Sequence, residues 1–274
     1  MVFRSLLMNE PKALHKYTMN NKTSSLRVTH AQSVYDDKEL KRVIAVIKEH
    51  RTLMGREMDE FESRVAKLFG KKYGIMVNSG SSANLVAVEL LDLQPGSEVI
   101  TLVLTFSTTV APILKRGLIP VFIDVEPGTY LIDVNKVEAA ITQKTKALLI
   151  PVMFGNVPNM EKLAKLAKKY KLYFIDDSCD ALVSHYKGKP TGAYTDISTC
   201  SFYGSHVITA GGGGGIVVVN SEEFKNGAKM LRGWGRSSSL FNESEDIDTR
   251  FSRKVDGIPY DGKFIFDSVG YNFL

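Results

Sequence analysis

Two adjacent carboxylates, Asp176 and Asp177, end a continuous apolar run and are the first candidates for chemistry. Burying two carboxylates at a strand end is costly unless each of them is paired. Successive residues of a strand face opposite sides of a sheet, so we predict that the two have different tasks. One of them could pair with a protonated ring nitrogen. A helix cap combined with a surface salt bridge is the alternative interpretation.

Small polar residues around Gly80 form a second candidate site, in the stretch NSGSSA at residues 78–83. This stretch lies between a predicted strand and a predicted helix, where glycine allows close backbone approach and free amides and hydroxyls bind phosphate. It is not a Walker loop, because no Gly-Lys-Ser/Thr follows. The alternative is a simple serine N-cap of the helix.

A third candidate is the stretch SFYGSH at residues 201–206, which precedes the glycine run Gly211–Gly215. Ser201 and Ser205 add phosphate-type donors, and the glycines indicate backbone packed closely against a ligand or another chain. A lone histidine such as His206 is more often a satisfied structural residue than a catalytic one. The fourth candidate, Phe106, either stacks on a flat ring or packs in the core.

All four candidates follow strands in an alternating pattern of strands and helices. The strands are mostly continuous apolar runs, which is typical of burial on both faces of a mostly parallel sheet. They are predicted at Tyr73–Asn78, Glu98–Leu102, Pro120–Asp124, Ala147–Met153, Leu172–Asp176, Ile197–Tyr203 and Gly215–Asn220. Helices are predicted at Asp36–Glu49, Met58–Phe69, Ser82–Leu91, Thr108–Arg116, Val134–Ile141 and Met160–Tyr170, with N-caps at Asp36, Asp133 and Asn159. Seven such strands predict a three-layer α/β/α domain that binds ligands beyond the carboxyl ends of its strands.

Composition narrows the class of protein. The 274 residues carry a net charge of +5, but the basic residues are spread along the chain, and the densest stretch, Lys162 to Lys171, has helical spacing. This favours a solvated helix face over a nucleic-acid site. Two cysteines make neither a disulfide framework nor a zinc cluster, and no apolar run approaches ~18 residues. We therefore expect a reduced cytoplasmic protein with no membrane span and no metal, whose residues 1–34 form an N-terminal arm before a large domain at 35–274.

In combination, these motifs resemble the DegT/StrS-type sugar aminotransferase family. The matching stretches are NSGSSANLVAVELL, PGSEVITLVLTFSTTVAPI, PVFIDVEPGTYLID, IDDSCDAL and SFYGSHVITAGGGGG, and the similarity runs from about Asp36 to Leu274. The resemblance implies the pyridoxal-phosphate fold type I, an aspartate-aminotransferase-like large domain with a seven-stranded mixed, mostly parallel sheet. It also implies a homodimer whose active sites lie at the subunit interface.

The resemblance further implies a role for individual residues. Gly80, Ser81 and Ser201 would hold the phosphate of the cofactor, and Phe106 would stack on its pyridine ring. Asp177 would pair with the pyridinium nitrogen and keep it protonated, so that the ring accepts electrons. Asp180 stands where many members have a glutamine near the ring hydroxyl. Asn272 would reach across the dimer to the partner's phosphate.

One departure from the family pattern bears on the reaction. The pattern Ser-Phe-x-x-x-Lys puts the lysine that anchors pyridoxal 5'-phosphate at position 206, where this chain has His206. That substitution resembles the sugar 3-dehydratase branch, whose members hold pyridoxamine 5'-phosphate without a covalent link and remove the C3 hydroxyl of a nucleotide-linked 4-keto-6-deoxyhexose. We therefore expect C3 dehydration with His206 as acid and base and Asp177 tuning the ring.

The type of dehydratase follows from the cysteines. One type binds an iron–sulfur cluster through cysteines, several of them just after a Trp-Gly-Arg motif. Here Trp234-Gly235-Arg236 is followed by serines and no cysteine lies beyond Cys200, so four thiolates are not available. The cluster-free type, which regenerates its amine from glutamate, is the one that this chain resembles.

Two other functions stay open at this point. One is an aminotransferase on the same sugars, with Lys187 or Lys189 filling the place of the missing lysine. The other is a non-catalytic family member. Family members continue past the Gly270-Tyr271-Asn272 motif into a small C-terminal domain, which we expect to be missing here, and this leaves the activity of the chain itself open.

Overall fold

A computed structural model describes residues 33–50, 54–240 and 247–274 of the chain. The predicted N-terminal arm at residues 1–34 lies outside these residues except for its last two positions. No helix of the described residues is both long and apolar enough to cross a membrane.

The described residues form helices and strands that alternate along most of the chain. The helices are α1 (Asp37–Lys48), α2 (Arg56–Leu68), α3 (Gly80–Glu89), α4 (Ser107–Lys115), α5 (Val134–Val137), α6 (Met160–Tyr170), α7 (Glu222–Arg232) and α8 (Ile247–Arg250). The strands are β1 (Tyr73–Val77), β2 (Glu98–Leu102), β3 (Ile119–Ile123), β4 (Thr145–Pro151), β5 (Tyr173–Asp177), β6 (His185–Tyr186), β7 (Lys189–Pro190), β8 (Ile197–Ser201), β9 (Gly215–Val219), β10 (Arg253–Val255) and β11 (Ile258–Tyr260).

Seven strands form one sheet in the order β1-β9-β8-β5-β4-β2-β3. The pairs β2–β3, β2–β4, β4–β5 and β5–β8 are parallel, whereas β9 runs antiparallel to both of its neighbours. The predicted seven-stranded, mixed, mostly parallel sheet is therefore confirmed. Its topology brings the carboxyl ends of β1, β2, β4, β5 and β8 to one edge, together with the start of β9.

Apolar side chains cover both faces of this sheet. One cluster packs Ile75 and Val217 of the sheet against Val86 of α3, and a second packs Leu148 and Phe174 against α6. β8 and β9 are buried along their whole length. This double burial explains why the sequence shows continuous apolar runs instead of alternation.

The predicted helix starts are confirmed by their caps. Asp36 accepts from the Lys38 amide and shares a capping box with Glu39. The side chains of Asp133 and Asn159 cap α5 and α6. Each cap satisfies backbone amides that the first helical turn leaves without partners.

Three expectations differ from the structure. The helix predicted over Val134–Ile141 is wrong in length, because α5 ends at Val137 and a 3₁₀ turn follows it. The sequence reading also missed α7, which Ser221 caps through the Phe224 amide. In α1, the apolar residues Leu40, Val43, Ile44 and Ile47 recur at helical spacing, but no residue of this helix is buried.

Candidate functional site

A cavity of about 390 Å³ opens at the carboxyl edge of the sheet. Residues that follow β1, β2, β4, β5 and β8 line it, so the four candidate segments of the sequence meet in one place. Seven of the eight predicted site residues are in its lining, namely Gly80, Ser81, Phe106, Asp177, Asp180, Ser201 and His206.

The start of α3 forms one wall of the cavity. Ser79 is the N-cap and accepts a hydrogen bond of 3.1 Å from the Ser82 amide. Ser81 lies in the first turn and donates from Oγ to Thr108 Oγ1 at 3.0 Å. A helix start concentrates amide hydrogens and the positive end of the helix dipole, and this arrangement binds anions. Ser79 therefore caps the helix, and Gly80 and Ser81 in the same turn stay the predicted phosphate-binding residues.

Two glycines let the backbone approach closely at this wall. A Cβ atom at Gly80 would lie 2.6 Å from the Ser201 Cβ and 2.7 Å from the Cys179 Sγ. A Cβ atom at Gly215 would lie 2.2 Å from the carbonyl oxygen of Ser79. The last glycine of the run therefore packs against the loop after β1 within the same chain, and β9 can sit beside β1 only because it lacks a side chain there.

Asp177 is the most firmly held carboxylate of the cavity. Its Oδ2 accepts from Asn84 Nδ2 and Thr109 Oγ1, both at 2.7 Å, and its Oδ1 accepts from the Cys179 amide at 3.1 Å. Thr199 Oγ1 donates to Asn84 Oδ1 at 2.6 Å, which leaves the amide of Asn84 to donate to the carboxylate. Three donors suit an ionised carboxylate, which can pair with a protonated ring nitrogen.

Asp176 faces away from this cavity, as the alternation along the strand predicts. It is fully buried and accepts from Ser178 Oγ at 2.9 Å and from Thr195 Oγ1 at 2.8 Å. Behind it, the buried Lys71 donates to the carbonyl oxygens of Thr195 and Asp196. Burial lowers the pKa of Lys71 to about 8, although Asp176 and Asp196 act in the opposite direction. The two adjacent carboxylates thus have separate tasks, and the alternative of a surface salt bridge is wrong because both are buried.

His206 and Asp180 face each other across 3.3 Å, measured from Nε2 to Oδ1. The ring of Tyr203 lies edge-on to the imidazole with 5.9 Å between centroids, and the His206 amide donates to the Tyr203 carbonyl at 2.9 Å. Nδ1 of His206 is buried, and no described group hydrogen-bonds to it. Burial raises the pKa of Asp180 and nearby Asp177 raises it further, while His206 lowers it. The histidine is therefore not a structural residue with both nitrogens satisfied.

Three other predicted residues occupy different surroundings. Phe106 is 69% exposed and lines the cavity, so its interpretation as a core residue is wrong. Ser201 Oγ accepts from the Tyr203 amide at 3.3 Å, beside Gly80. Asn272 is exposed, pairs through its backbone with Gly233, and is not in the lining of the cavity. Its predicted reach to a partner subunit stays a prediction.

Sequence reasoning missed the residues that hold Asp177. Asn84 is the one amide side chain of α3 and directly precedes its apolar stretch Leu85–Val88, and Thr109 follows Phe106 by three residues. The signal for Asn84 was its place four residues after Gly80, which puts it on the same face of the helix. Thr199 gave no signal, because a threonine inside a buried strand is common.

No lysine or arginine of the described residues lines the cavity. Lys187 Nζ instead donates to Glu161 Oε2 at 2.6 Å, and Lys189 begins the two-residue strand β7. The described residues also contain no group of three or more histidine, cysteine, aspartate or glutamate side chains that could hold a metal ion. Among the described residues, an anion in this cavity would therefore meet hydroxyls, amides and the start of α3.

Comparison with known proteins shows the family of this chain. Residues 34–259 match the DegT/DnrJ/EryC1/StrS aminotransferase family. The chain belongs to this family. It is 39% identical over 246 residues to the lipopolysaccharide biosynthesis protein RfbH of Salmonella typhimurium, covering 86% of the chain and 56% of that protein. It is 37% identical over 254 residues to dTDP-4-dehydro-2,6-dideoxy-D-glucose 3-dehydratase of Saccharopolyspora spinosa, covering 88% of the chain and 54% of that protein.

Solved structures of the family share the fold. The E. coli GDP-4-keto-6-deoxy-D-mannose-3-dehydratase with bound hydrated PLP superimposes with a TM-score of 0.79 at 28% identity, covering 90% of this chain and 64% of that one. The predicted family and fold are confirmed. The chain spans about half the length of the two curated relatives that it matches.

Proposed function

We propose that this chain carries the cofactor-binding site of an enzyme that dehydrates a nucleotide-linked 4-keto-6-deoxyhexose at C3, with pyridoxamine 5'-phosphate as its cofactor. The observation that carries the proposal is His206. It lines the cavity, no lysine of the described residues does so, and the family pattern would put the lysine at this position of the sequence. Imidazole forms no stable imine with an aldehyde, yet it exchanges protons near neutral pH.

The lining fits a phosphorylated pyridine. The cradle of Gly80, Ser81 and Ser201 would hold the phosphate, because backbone at Gly80 approaches without a Cβ and the α3 start supplies donors. Asp177, with three donors fixing its carboxylate, would pair with the ring nitrogen. The exposed ring of Phe106 would cover one face of the pyridine.

When bound, the cofactor would supply an amine able to react with the sugar ketone and a ring that accepts electrons. The residues of this chain would supply the proton chemistry around it. His206 would take a proton from the methylene carbon of the cofactor at an imidazole nitrogen and give it to the C3 hydroxyl, which leaves as water. Asp177 keeps the ring nitrogen protonated, so that the ring stays able to accept electrons.

Partners and substrates follow from the relatives. The relatives include 3-dehydratases of a GDP-linked and of a dTDP-linked sugar, so both kinds of sugar are substrate candidates for this chain. Glutamate would restore the amine of the cofactor after each turnover. A homodimer in the cytoplasm, in which Asn272 meets the partner's phosphate, completes the proposal.

Product analysis tests this function. The chain is incubated with pyridoxamine 5'-phosphate and either a GDP-linked or a dTDP-linked 4-keto-6-deoxyhexose, and replacement of the C3 hydroxyl by hydrogen in the released sugar, a net loss of one oxygen, is followed by mass spectrometry. We expect dehydration with one of the two, and a loss of about 100-fold or more in His206→Asn. The matched control is Lys187→Met, which changes a lysine outside the cavity and keeps the wild-type rate.

Two results would contradict the proposal. Cofactor that stays attached to a lysine after borohydride reduction would favour an aminotransferase instead. A folded chain with no measurable affinity for pyridoxamine 5'-phosphate would favour a non-catalytic family member.

A further inference from the structure

We propose that Asp180 selects the amine form of the cofactor, by pairing its carboxylate with the ammonium group that lies next to His206. This inference rests on the proposed function and names the residue that decides whether the amine, aldehyde or alcohol form of the cofactor is retained. The aldehyde and alcohol forms of the ring lack that positive charge.

The position of Asp180 carries the first step. In the family pattern, a lysine at position 206 would bond to the aldehyde carbon of pyridoxal 5'-phosphate. The same carbon bears the amine in pyridoxamine 5'-phosphate, so the His206 side chain marks the region of this carbon. Asp180 Oδ1 lies 3.3 Å from the His206 ring. A cationic group on this carbon would therefore come within reach of the Asp180 carboxylate.

The charges of the lining carry the second step. Asp177 and Asp180 are the two carboxylates of the lining, and no lysine or arginine of the described residues stands with them. Asp177 is committed to three hydrogen-bond donors and to the ring nitrogen. Asp180 has 37% of its side chain exposed, and its near neighbour is the His206 imidazole, 3.3 Å away. A ring with a protonated nitrogen and an ammonium group matches the two carboxylates.

Electrostatics make a cation favourable beside Asp180. Burial raises the pKa of Asp180 and Asp177 raises it too, while His206 opposes this shift. Cys179 and Tyr203 are the other titratable side chains of the lining, and Tyr203 packs edge-on against the His206 ring. A carboxylate that is partly withdrawn from water gains most from a charged partner, because a charge-assisted hydrogen bond replaces lost hydration.

Two probes isolate the ammonium group. Pyridoxamine 5'-phosphate and pyridoxine 5'-phosphate differ by an ammonium and a hydroxyl at the same carbon, and neither reacts with surface lysines. Their dissociation constants are measured by fluorescence titration at neutral pH with wild type, Asp180→Asn and Asp180→Glu. We expect wild type to bind the amine about tenfold or more tightly than the alcohol. Asp180→Asn removes most of this ratio, and Asp180→Glu restores part of it.

A matched control separates charge from general damage. Ser81→Ala removes a proposed phosphate contact and weakens both probes alike, so its ratio stays near that of wild type. An unchanged ratio in Asp180→Asn, or an equal loss for both probes, overturns the inference while the proposed function stands. Wild type that binds neither probe overturns the proposed function as well, which distinguishes the two failures.

Discussion

Replacing Lys71 with methionine removes a buried cation from behind the candidate site, and its effect on stability depends on pH in a calculable way. Lys71 is 4% exposed and donates to two backbone carbonyls in the turn before β8. Burial lowers its pKa from 10.5 to about 8. Between these two values the unfolded chain holds a proton that the folded chain has released.

The direction and size of the effect follow from this difference. Stability increases with pH wherever the unfolded state binds more protons, so the wild-type free energy of unfolding should rise from about pH 8 to about pH 10.5. At about 1.4 kcal/mol per pH unit, the full gain is about 3 kcal/mol, and it is lost progressively as pH falls from about 10.5 to about 8. Cys200 acts the other way, because burial raises its pKa to about 12, but it is present in both proteins and cancels in the comparison.

Urea unfolding followed by the fluorescence of Trp234, the single tryptophan, measures both proteins between about pH 8 and pH 10. We expect the wild-type curve to rise relative to Lys71→Met by about 2–3 kcal/mol across that range. Lys72→Met changes the adjacent exposed lysine and should keep the wild-type slope. Parallel curves for wild type and Lys71→Met would refute the claim that a cation is buried at this position.

Two further substitutions probe the close approach at the cavity and the buried ion pair of Glu62 and Arg232. Gly80→Ala forces a Cβ to within 2.6 Å of the Ser201 Cβ. It should lower the free energy of unfolding in urea by about 1–3 kcal/mol and weaken binding of pyridoxamine 5'-phosphate. The control Gly227→Ala meets only the end of a leucine side chain and should lower the free energy of unfolding less. Arg232→Met removes a buried guanidinium that donates to Glu62 at 2.9 Å and should destabilise the fold by about 3–5 kcal/mol; a loss below about 1 kcal/mol would contradict this.

The seven strands were predictable because most of them are short apolar runs between polar turns, whereas β8 has the sequence ISTCS and is buried nevertheless. Because both faces of the sheet are buried, its strands need no alternation of apolar and polar residues. Continuous apolar runs in the sequence are therefore consistent with the observed sheet. The end of α5 was not predictable in the same way. The residues from 138 to 141 keep helical composition, but Ile141 adopts an extended backbone and leads toward the following strand. Tertiary packing, not propensity, decides that boundary.

The site was predictable to the extent that each residue follows a strand. Ligand groups at the carboxyl ends of parallel strands converge by topology alone, so Gly80, Asp177 and His206 could be grouped before any distance was known. The support of Asp177 by Asn84 and Thr199 could not be found this way. The place of Asn84 four residues after Gly80 indicates its helix face, but the sequence pattern does not say which rotamers face one another across the sheet.

The arrangement separates the part of the site that binds from the part that decides the reaction. The cradle at Gly80 and the held carboxylate of Asp177 would serve any enzyme of the family, because phosphate and ring nitrogen are common to all forms of the cofactor. Under the proposed function, the carbon that reacts would lie instead near positions 206 and 180. A lysine at 206 would trap the aldehyde, whereas the pair of His206 and Asp180 offers a base beside an anion, 3.3 Å apart. Two side chains on an otherwise unchanged scaffold can therefore exchange covalent anchoring of an aldehyde for non-covalent retention of an amine.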